Sequence, residues 1–265
     1  MKTMLFSKFT VRFRSSYLLL IACLMSSFFT FSQSQEVDTE DREEKAESSS
    51  FVSFDFGLDL QTRYIWRGLE LGGASGSAQP YIELGVGQFS FGAWGAYSLG
   101  GVNAVQEADL YIAWAPLDFL SFTYTNYFFP VDFDDQDFFE YGRGTGHVNE
   151  IMVSFGGVKN FPIGIVVATN FAGADKTEDG DQSYSTYVEL SYSHTLAGVD
   201  FNAFAGGVFA DEGGYYLTDG AGIINVGVGG SKEIKITDSY SLPVNAALIF
   251  NPDAGDMYIT FGISL

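Results

Sequence analysis

The sequence predicts an all-β protein, a transmembrane antiparallel up-and-down β-barrel of about 12 strands, within a range of about 10 to 14. Three observations lead to this fold class. Apolar residues recur with a period of two along most of the chain, acidic residues occupy the centres of the polar faces, and short turns alternate with longer loops. A barrel separates an apolar phase from water along its whole wall, and these patterns fit that requirement.

The first predicted strand shows the alternation most clearly. Every second residue is apolar, and these residues are Val52, Phe54, Phe56, Leu58 and Leu60. The intervening positions are polar, acidic or glycine, and they are Ser53, Asp55, Gly57, Asp59 and Gln61. Successive side chains of a strand point to opposite faces, so one face of this strand is apolar and the other is charged.

The same pattern continues through the remaining chain and predicts twelve strands. They lie near residues 51–65, 80–87, 88–98, 107–114, 119–129, 148–156, 163–171, 183–194, 200–209, 222–232, 239–250 and 256–265. Short connections such as Gly87-Gln88 alternate with mostly longer segments such as 130–147. Short turns on one side and long loops on the other are typical of transmembrane barrels. An even number of strands places both ends of the barrel domain on the short-turn, periplasmic side.

A soluble secreted β-protein is the alternative, because a sandwich also alternates polar and apolar residues. Two features favour the barrel. The polar faces carry few lysines, although soluble edge strands are usually protected by lysine, and aromatic residues such as Trp114, Tyr124 and Phe128 lie near the ends of apolar faces. The last nine residues resemble the terminal strand that barrel-assembly machinery recognises, although the chain ends in Leu265 rather than Phe.

Residues 1–34 are predicted to be a cleaved signal peptide that leads to the cell outer membrane. They contain four basic residues, no acidic residue, and an apolar run from Tyr17 to Phe31. A retained membrane anchor is less consistent with this short run. Cys23, the single cysteine, lies within the run, and its lipidation is a further alternative because Leu20 to Cys23 resembles a lipoprotein processing box.

Residues 35–50 are predicted to be a flexible acidic tail, and residues 51–265 the barrel. Removal of the leader takes four of the 13 basic residues and none of the 33 acidic ones, which leaves a net charge of −24. A nucleic-acid partner is therefore excluded, since phosphate binding requires Lys and Arg.

The segment Tyr64-Ile65-Trp66-Arg67-Gly68 resembles the aromatic-x-x-Arg-Gly motif that ends the first strand in a family of bacterial barrel proteins labelled Gcw_chp or TorF-like. Segments 78–80, 91–95 and 107–111 also resemble family segments, the first of them loosely. The recognisable motifs cover about the first 65 residues of the barrel domain. The family has no agreed activity, so the resemblance implies location and fold but no chemistry.

Charged residues on the polar faces are the candidates for the barrel lumen. Arg63 and Arg67 are placed on the polar face of the first strand, where they could pair with carboxylates of nearby strands. A structural packing role and a selectivity role are both open for this cluster. The lumen candidates are Asp55, Asp59, Arg63, Arg67, Glu83, Glu107, Asp109, Glu150 and Glu189.

Two acidic loops are candidates for binding a ligand or a divalent cation. The longest interleaves acids with aromatics, and its candidates are Asp132, Asp134, Asp135, Asp137 and Glu140. The second contains Asp175 and Asp179 and partly resembles a calcium loop, but Thr186 stands where the bidentate Glu would be required. A plain solvated acidic loop is the alternative for both.

Enzyme activity is not expected, and no cofactor or metal site is assigned. His147 and His194 lack the neighbouring Ser or Asp that outer-membrane phospholipases and omptin-like proteases require. The expected function is a narrow porin-like channel for small solutes or cations, because acidic inward positions would concentrate cations. A non-conducting structural or surface-interaction barrel is the alternative. The expected partners are membrane lipid, lipopolysaccharide and the barrel-assembly machinery.

Overall fold

The computed structural model describes residues 51–100, 106–130, 138–141 and 145–265 and shows a closed antiparallel barrel of twelve strands. The predicted fold class and strand number are confirmed. The barrel strands are β1 (Val52–Gln61), β4 (Ser77–Val86), β5 (Phe89–Ser98), β6 (Gln106–Leu117), β7 (Leu120–Phe128), β8 (His147–Phe155), β9 (Ile163–Gly173), β10 (Thr186–Leu196), β11 (Val199–Ala210), β12 (Gly222–Thr237), β13 (Tyr240–Asn251) and β14 (Asp256–Ser264).

Neighbours in sequence are neighbours in the barrel, and β1 closes the cylinder by pairing with both β4 and β14. The β1–β14 seam is set by the pairs Asp59 with Ser264 and Gln61 with Gly262. The part of the chain that the structure describes contains no helix long and apolar enough to span a membrane. Two further strands, β2 (Ile65–Trp66) and β3 (Leu69–Glu70), form a small separate hairpin.

The strand boundaries depart from the predicted ones most at β1 and β12. The first strand ends at Gln61 rather than near residue 65, because the chain then leaves the wall and forms the β2–β3 hairpin. β12 continues to Thr237, beyond the predicted end at residue 232. The β-branched residues Ile234 and Ile236 maintain the alternation there, and β13 pairs with this extension.

The register places apolar and polar residues in separate rows around the wall. One outward row crosses six neighbouring strands and is apolar or aromatic throughout: Phe54, Leu84, Phe91, Ile112, Tyr124 and Ile151. The adjacent inward row is Asp55, Glu83, Gly92, Tyr111, Thr125 and Glu150. A barrel with a hydrophobic outside and a polar inside is the inverse of a soluble β-protein.

Glycines on the inward face allow large rings to lie flat against the wall. Tyr111 and Glu83 lie on either side of Gly92 in one inward row. A Cβ atom at Gly92 would lie 2.1 Å from the Tyr111 ring, so only glycine lets the ring cross that strand. The Tyr111 hydroxyl thereby reaches Glu83 Oε2 and donates to it at 2.8 Å.

The buried apolar side chains lie inside the barrel toward its long-loop end. They form three clusters, and residues from the segment between β1 and β4 pack into each of them. The clusters centre on Tyr187 with Tyr216 and Ile224, on Tyr64 with Trp94, and on Phe204 with Ile249. The segment that interrupts the wall after β1 therefore supplies much of the interior packing at this end.

Candidate functional site: a plug across the lumen

Residues 62–71, which include the β2–β3 hairpin, are called the plug. Its turn has left-handed backbone conformation at two successive residues, Arg67 (φ 48°) and Gly68 (φ 81°). A Cβ atom at Gly68 would lie 1.8 Å from the carbonyl oxygen of Ile224, so the turn contacts the backbone of β12 directly. A non-glycine residue at positive φ is strained, and Arg67 is held in this conformation by its surroundings.

The Arg67 side chain extends from the plug to the wall at β8. Its Nη1 donates to Glu150 Oε2 at 2.5 Å, and its Nη2 donates to Glu150 Oε1 at 2.9 Å. β8, which carries Glu150, is five strands from β1 in one direction around the barrel and seven in the other. The plug and this ion pair together connect β1 to a strand far from it around the barrel. The side chains are 11% and 0% exposed, so neither charge has water as an alternative partner.

Aromatic rings surround the guanidinium. It lies 4.5 Å from the centre of the Trp66 ring and 4.8 Å from that of Tyr187, and Nη1 also donates to the Tyr216 hydroxyl at 2.6 Å. Trp66 stacks on Tyr216 with ring centres 5.5 Å apart and an interplanar angle of 4°. Arg favours such faces because its planar cation is weakly hydrated and attracted to aromatic quadrupoles.

The flanks of the plug are attached to the wall at other points. Tyr64 donates from its hydroxyl to Glu107 Oε2 at 2.7 Å, and its ring packs against Trp94. Asn251, at the end of β13, donates to the Gly68 carbonyl at 3.2 Å. Arg63 and Glu70 form an ion pair within the plug itself. Contacts to β5, β6, β8, β10, β12 and β13 together hold the plug in the long-loop end of the lumen.

Loop 211–221, which connects β11 to β12, contributes Tyr216 to this site. Burial raises the pKa of Tyr216 well above its ordinary value, and the Arg67 charge opposes part of that rise. The phenol therefore stays neutral at physiological pH and can accept the bond from Arg67. Because Tyr216 also stacks on Trp66, this loop and the plug hold each other in place.

The structure places the predicted lumen residues differently from the prediction at two positions. Arg63 and Arg67 do not lie in the first strand, because that strand ends at Gln61 and both follow it in the plug. The hydrogen bonds of Arg67 go to Glu150 and Tyr216 rather than to the carboxylates of β4 and β6. Those carboxylates accept hydrogen bonds from tyrosines instead, as Glu83 and Glu107 show.

The acidic lumen candidates all lie on the inward face of the wall. Glu189 accepts bonds from Tyr187 at 2.5 Å and from Asn225 at 2.9 Å. Asp55 Oδ1 accepts from the backbone N–H of Phe56 at 2.9 Å. One oxygen of Asp59 and one of Asp109 are buried without a hydrogen-bond partner among the described residues. The wall below the plug is therefore acidic.

The loop candidates are only partly described. Asp132, Asp134, Asp135 and Asp137 lie outside the described residues. Glu140 is exposed, and its main-chain carbonyl accepts a hydrogen bond from Thr145. Asp179 is exposed, whereas Asp175 is buried where loop 174–185 meets loop 211–221. The structure therefore separates these last two candidates.

The role of the plug residues was not found from the sequence. The sequence places Tyr64 in the first strand and Trp66 in the motif that follows it, and it does not connect Tyr216 or Glu150 with Arg67. The one available signal is Arg67-Gly68 after an aromatic residue, since a glycine there permits a tight turn with positive φ. That signal indicates a turn but does not indicate that the turn folds into the barrel.

Comparisons with known proteins add little to this picture. No protein-family model and no curated protein matches the chain. Among solved structures, the chain is similar to Wzi, described as an outer-membrane protein involved in group 1 capsule assembly in Escherichia coli and a carbohydrate-binding β-barrel. The identity is 10%, the TM-score is 0.33, and the match covers 80% of this chain and 56% of that one. A likeness this distant carries no argument about function.

Proposed function

We propose that the protein is an integral β-barrel of the Gram-negative outer membrane whose lumen is closed by the plug, and that it acts through its long loops as a structural or surface-interaction barrel. The observation that carries this proposal is the Arg67 side chain, which holds the plug inside the barrel through a fully buried Glu150. A permanently open porin would not place a strained arginine and a stacked tryptophan across its mouth.

The outer wall supports the membrane location. Its outward rows are apolar, and many of these side chains are exposed, for example Phe56, Leu190 and Ile259. Soluble monomers rarely expose continuous apolar surface of this extent. Phe89, Trp114 and Phe122 stack in a row near the short-turn end, as an interfacial aromatic girdle would. Membrane lipid and lipopolysaccharide are the partners that such a wall would meet.

A narrow, cation-preferring channel that opens when the plug moves is the second candidate. The acidic inward wall favours it, since Asp59 and Asp109 have buried oxygens without partners in the described chain. Water or a passing cation could satisfy these atoms. The strain at Arg67 favours it too, because release of the plug would relieve that strain.

The location is tested by fractionating cells and measuring the heat-dependent gel mobility of the protein. We expect the protein in the outer-membrane fraction, with faster migration before heating than after. Recovery of a compact monomer that remains soluble without detergent would contradict the membrane proposal.

Closure is tested by current recording in planar bilayers. We expect little current from the wild-type protein and frequent openings from Arg67→Ala, because the variant removes the bonds that fix the plug to β8. Arg63→Ala is the matched control, since Arg63 belongs to the plug but pairs only within it. Steady current from the wild type would favour the channel. Silence from wild type and Arg67→Ala alike would favour a barrel that does not conduct at all.

A further inference from the structure

Two acidic side chains are buried together outside the lumen, where loop 174–185 meets loop 211–221. Asp175 is 1% exposed and Asp211 is 2% exposed. Within the described ranges, the ion pairs of Arg63, Arg67 and Lys235 go to other carboxylates than these two. Buried carboxylates are normally paired with a cation or a metal ion, so this pair requires an explanation.

Each carboxylate has one oxygen that is satisfied by its own surroundings. Asp175 Oδ2 accepts from the backbone N–H of Ser185 at 2.9 Å. Asp211 Oδ2 accepts from the backbone N–H of Tyr216 at 3.0 Å and from the Thr218 hydroxyl at 2.9 Å. Bonds of this kind favour the ionised form of a carboxylate.

The two remaining oxygens converge on one hydroxyl. Ser185 Oγ lies 2.8 Å from Asp175 Oδ1 and 2.9 Å from Asp211 Oδ1. A serine hydroxyl has a single proton and can donate only one of these two bonds. Ser185 can therefore place its proton toward only one of the two carboxylates. Its oxygen lies close to the other carboxylate oxygen without a Ser185 proton between the two atoms.

An independent observation at the same place also points to a ligand. Asn170, at the end of β9, is 0% exposed, and both its amide oxygen and its amide nitrogen lack a hydrogen-bond partner within the described ranges. Its backbone N–H donates to the Ser185 carbonyl. Its side-chain amide lies beside the Asp175 carboxylate. An unsatisfied buried amide beside two carboxylates is a costly arrangement without a further group.

We infer that these loops form a divalent-cation site of the calcium class, with Asp175 and Asp211 as the charged ligands and Ser185 and Asn170 as neutral oxygen ligands. Calcium accepts carboxylate, amide and hydroxyl oxygens in flexible geometry, whereas magnesium demands a stricter octahedron. No three His, Cys, Asp or Glu side chains converge on a site within the described residues, so only two charges contribute. A dissociation constant of about 10⁻⁴ to 10⁻³ M follows, as in extracellular modules.

The site differs from the calcium loop suggested by the local sequence. That reading uses Asp175 and Asp179 from one loop, but Asp179 is exposed. The structure instead joins Asp175 to Asp211 of the other loop. Since Asp211 also binds the backbone of Tyr216, a bound cation would order the loop that contacts Arg67. The inference does not require that the barrel conduct.

The experiment measures terbium luminescence, as a probe of calcium sites, and thermal unfolding of the detergent-folded protein in calcium or in chelator. Tyr216 is adjacent to the site and can sensitise terbium. We expect saturable luminescence that calcium displaces, and a higher unfolding temperature in calcium because the ion binds the folded state. Asp175→Asn and Asp211→Asn should each weaken binding at least about tenfold, since each removes one of two ligand charges.

Asp179→Asn is the matched control from the same loop and should bind as the wild type does. Folding of each variant is checked by gel mobility. Asn170→Asp adds a third carboxylate and should therefore bind the cation several-fold more tightly than the wild type. No terbium signal from the folded wild type would overturn the inference. So would equal weakening by Asp179→Asn, weaker binding by Asn170→Asp, or stabilisation of the wild type by acid but not by calcium, which would indicate a shared proton.

Discussion

The two halves of the lumen are built in different ways from the same wall. At the long-loop end the interior is filled by the plug, with Trp66 and Arg67 packed among tyrosines. Farther from the long loops, large rings lie flat across glycines of neighbouring strands, as Tyr81 does over Gly57 and Tyr111 does over Gly92. The filling of the lumen by the plug is therefore local, since ten residues occupy one end while glycines keep bulk away from the axis elsewhere.

Polar atoms without partners are spread over the inward face, and Asn170 and Asn225 at the long-loop end are among them. Several buried inward side chains have no hydrogen-bond partner among the described residues, and they include Thr123, Ser154, Asn245 and Thr260. In the plug, by contrast, Arg67 makes bonds to both oxygens of Glu150. A polar interior whose groups lack protein partners is suited to water. The comparison indicates that the plug is dry and rigid, and that the rest of the lumen, toward the short-turn end, is wet.

The largest expected effect comes from removing the charge that anchors the dry end. Arg67→Ala leaves Glu150 buried and unpaired, and we expect a loss of about 3–5 kcal/mol in the free energy of unfolding. Urea titration of the detergent-folded barrel measures it. Arg63→Ala should cost no more than about 1 kcal/mol, because that ion pair is partly exposed. Equal losses would remove the distinction between the two arginines.

A second comparison uses two tyrosines that donate to carboxylates, one in each half. Tyr64→Phe deprives buried Glu107 of its donor and should cost about 1.5–3 kcal/mol, the usual range for a bond to a charged group. Tyr111→Phe removes the bond to Glu83 in the wetter half, where water can replace the lost donor, and should cost about 1 kcal/mol or less. A larger loss at Tyr111 would contradict the wet and dry division.

The glycine crossings predict a third effect. Gly92→Ala places a methyl group 2.1 Å from the Tyr111 ring, so the ring must move away from Glu83, at a cost of about 1–3 kcal/mol. Gly156→Ala is the control, since its nearest neighbours lie 3.9 Å and 4.0 Å away. Near-ultraviolet circular dichroism and unfolding measure both variants. If Gly92→Ala is as stable as Gly156→Ala, the ring does not depend on the glycine.

The smallest effect is expected at the tip of the β12–β13 hairpin. Ile236 is 56% exposed near the end of β12. If the tip extends beyond the membrane, Ile236→Thr should change stability by no more than about 0.5 kcal/mol. A markedly larger loss in lipid would place this part of the wet end inside the bilayer, and would move the expected membrane boundary toward the turn.

The barrel was predictable because the pattern that determines it lies within each strand. Alternation along each strand, as in Phe54, Asp55 and Phe56, shows which face meets water without reference to any other strand. The extension of β12 was missed because Lys232, Glu233 and Lys235 resemble a polar turn. The strand continues there because Ile234 and Ile236 keep the alternation and β13 supplies a partner.

The plug was not predictable because the contacts that hold it join residues far apart in the sequence. Beyond Gln61, Tyr64 and Trp66 still alternate with Arg63 and Arg67 at every second position, which resembles a continuing strand and does not indicate an inward bend. The partners of Arg67 are 83 and 149 residues away in sequence, and nothing near Glu150 or Tyr216 identifies them. The same limit applies to Asp175 and Asp211, which come together only when two loops meet.

These long separations have a consequence for biogenesis. Arg67, near the start of the domain, has its anchors only when β8 and loop 211–221 are also in place, so the complete set of plug contacts requires most of the cylinder. A half-built intermediate, with β8 in place but β12 still absent, would hold the guanidinium by Glu150 alone and would leave a hydrated passage beside it.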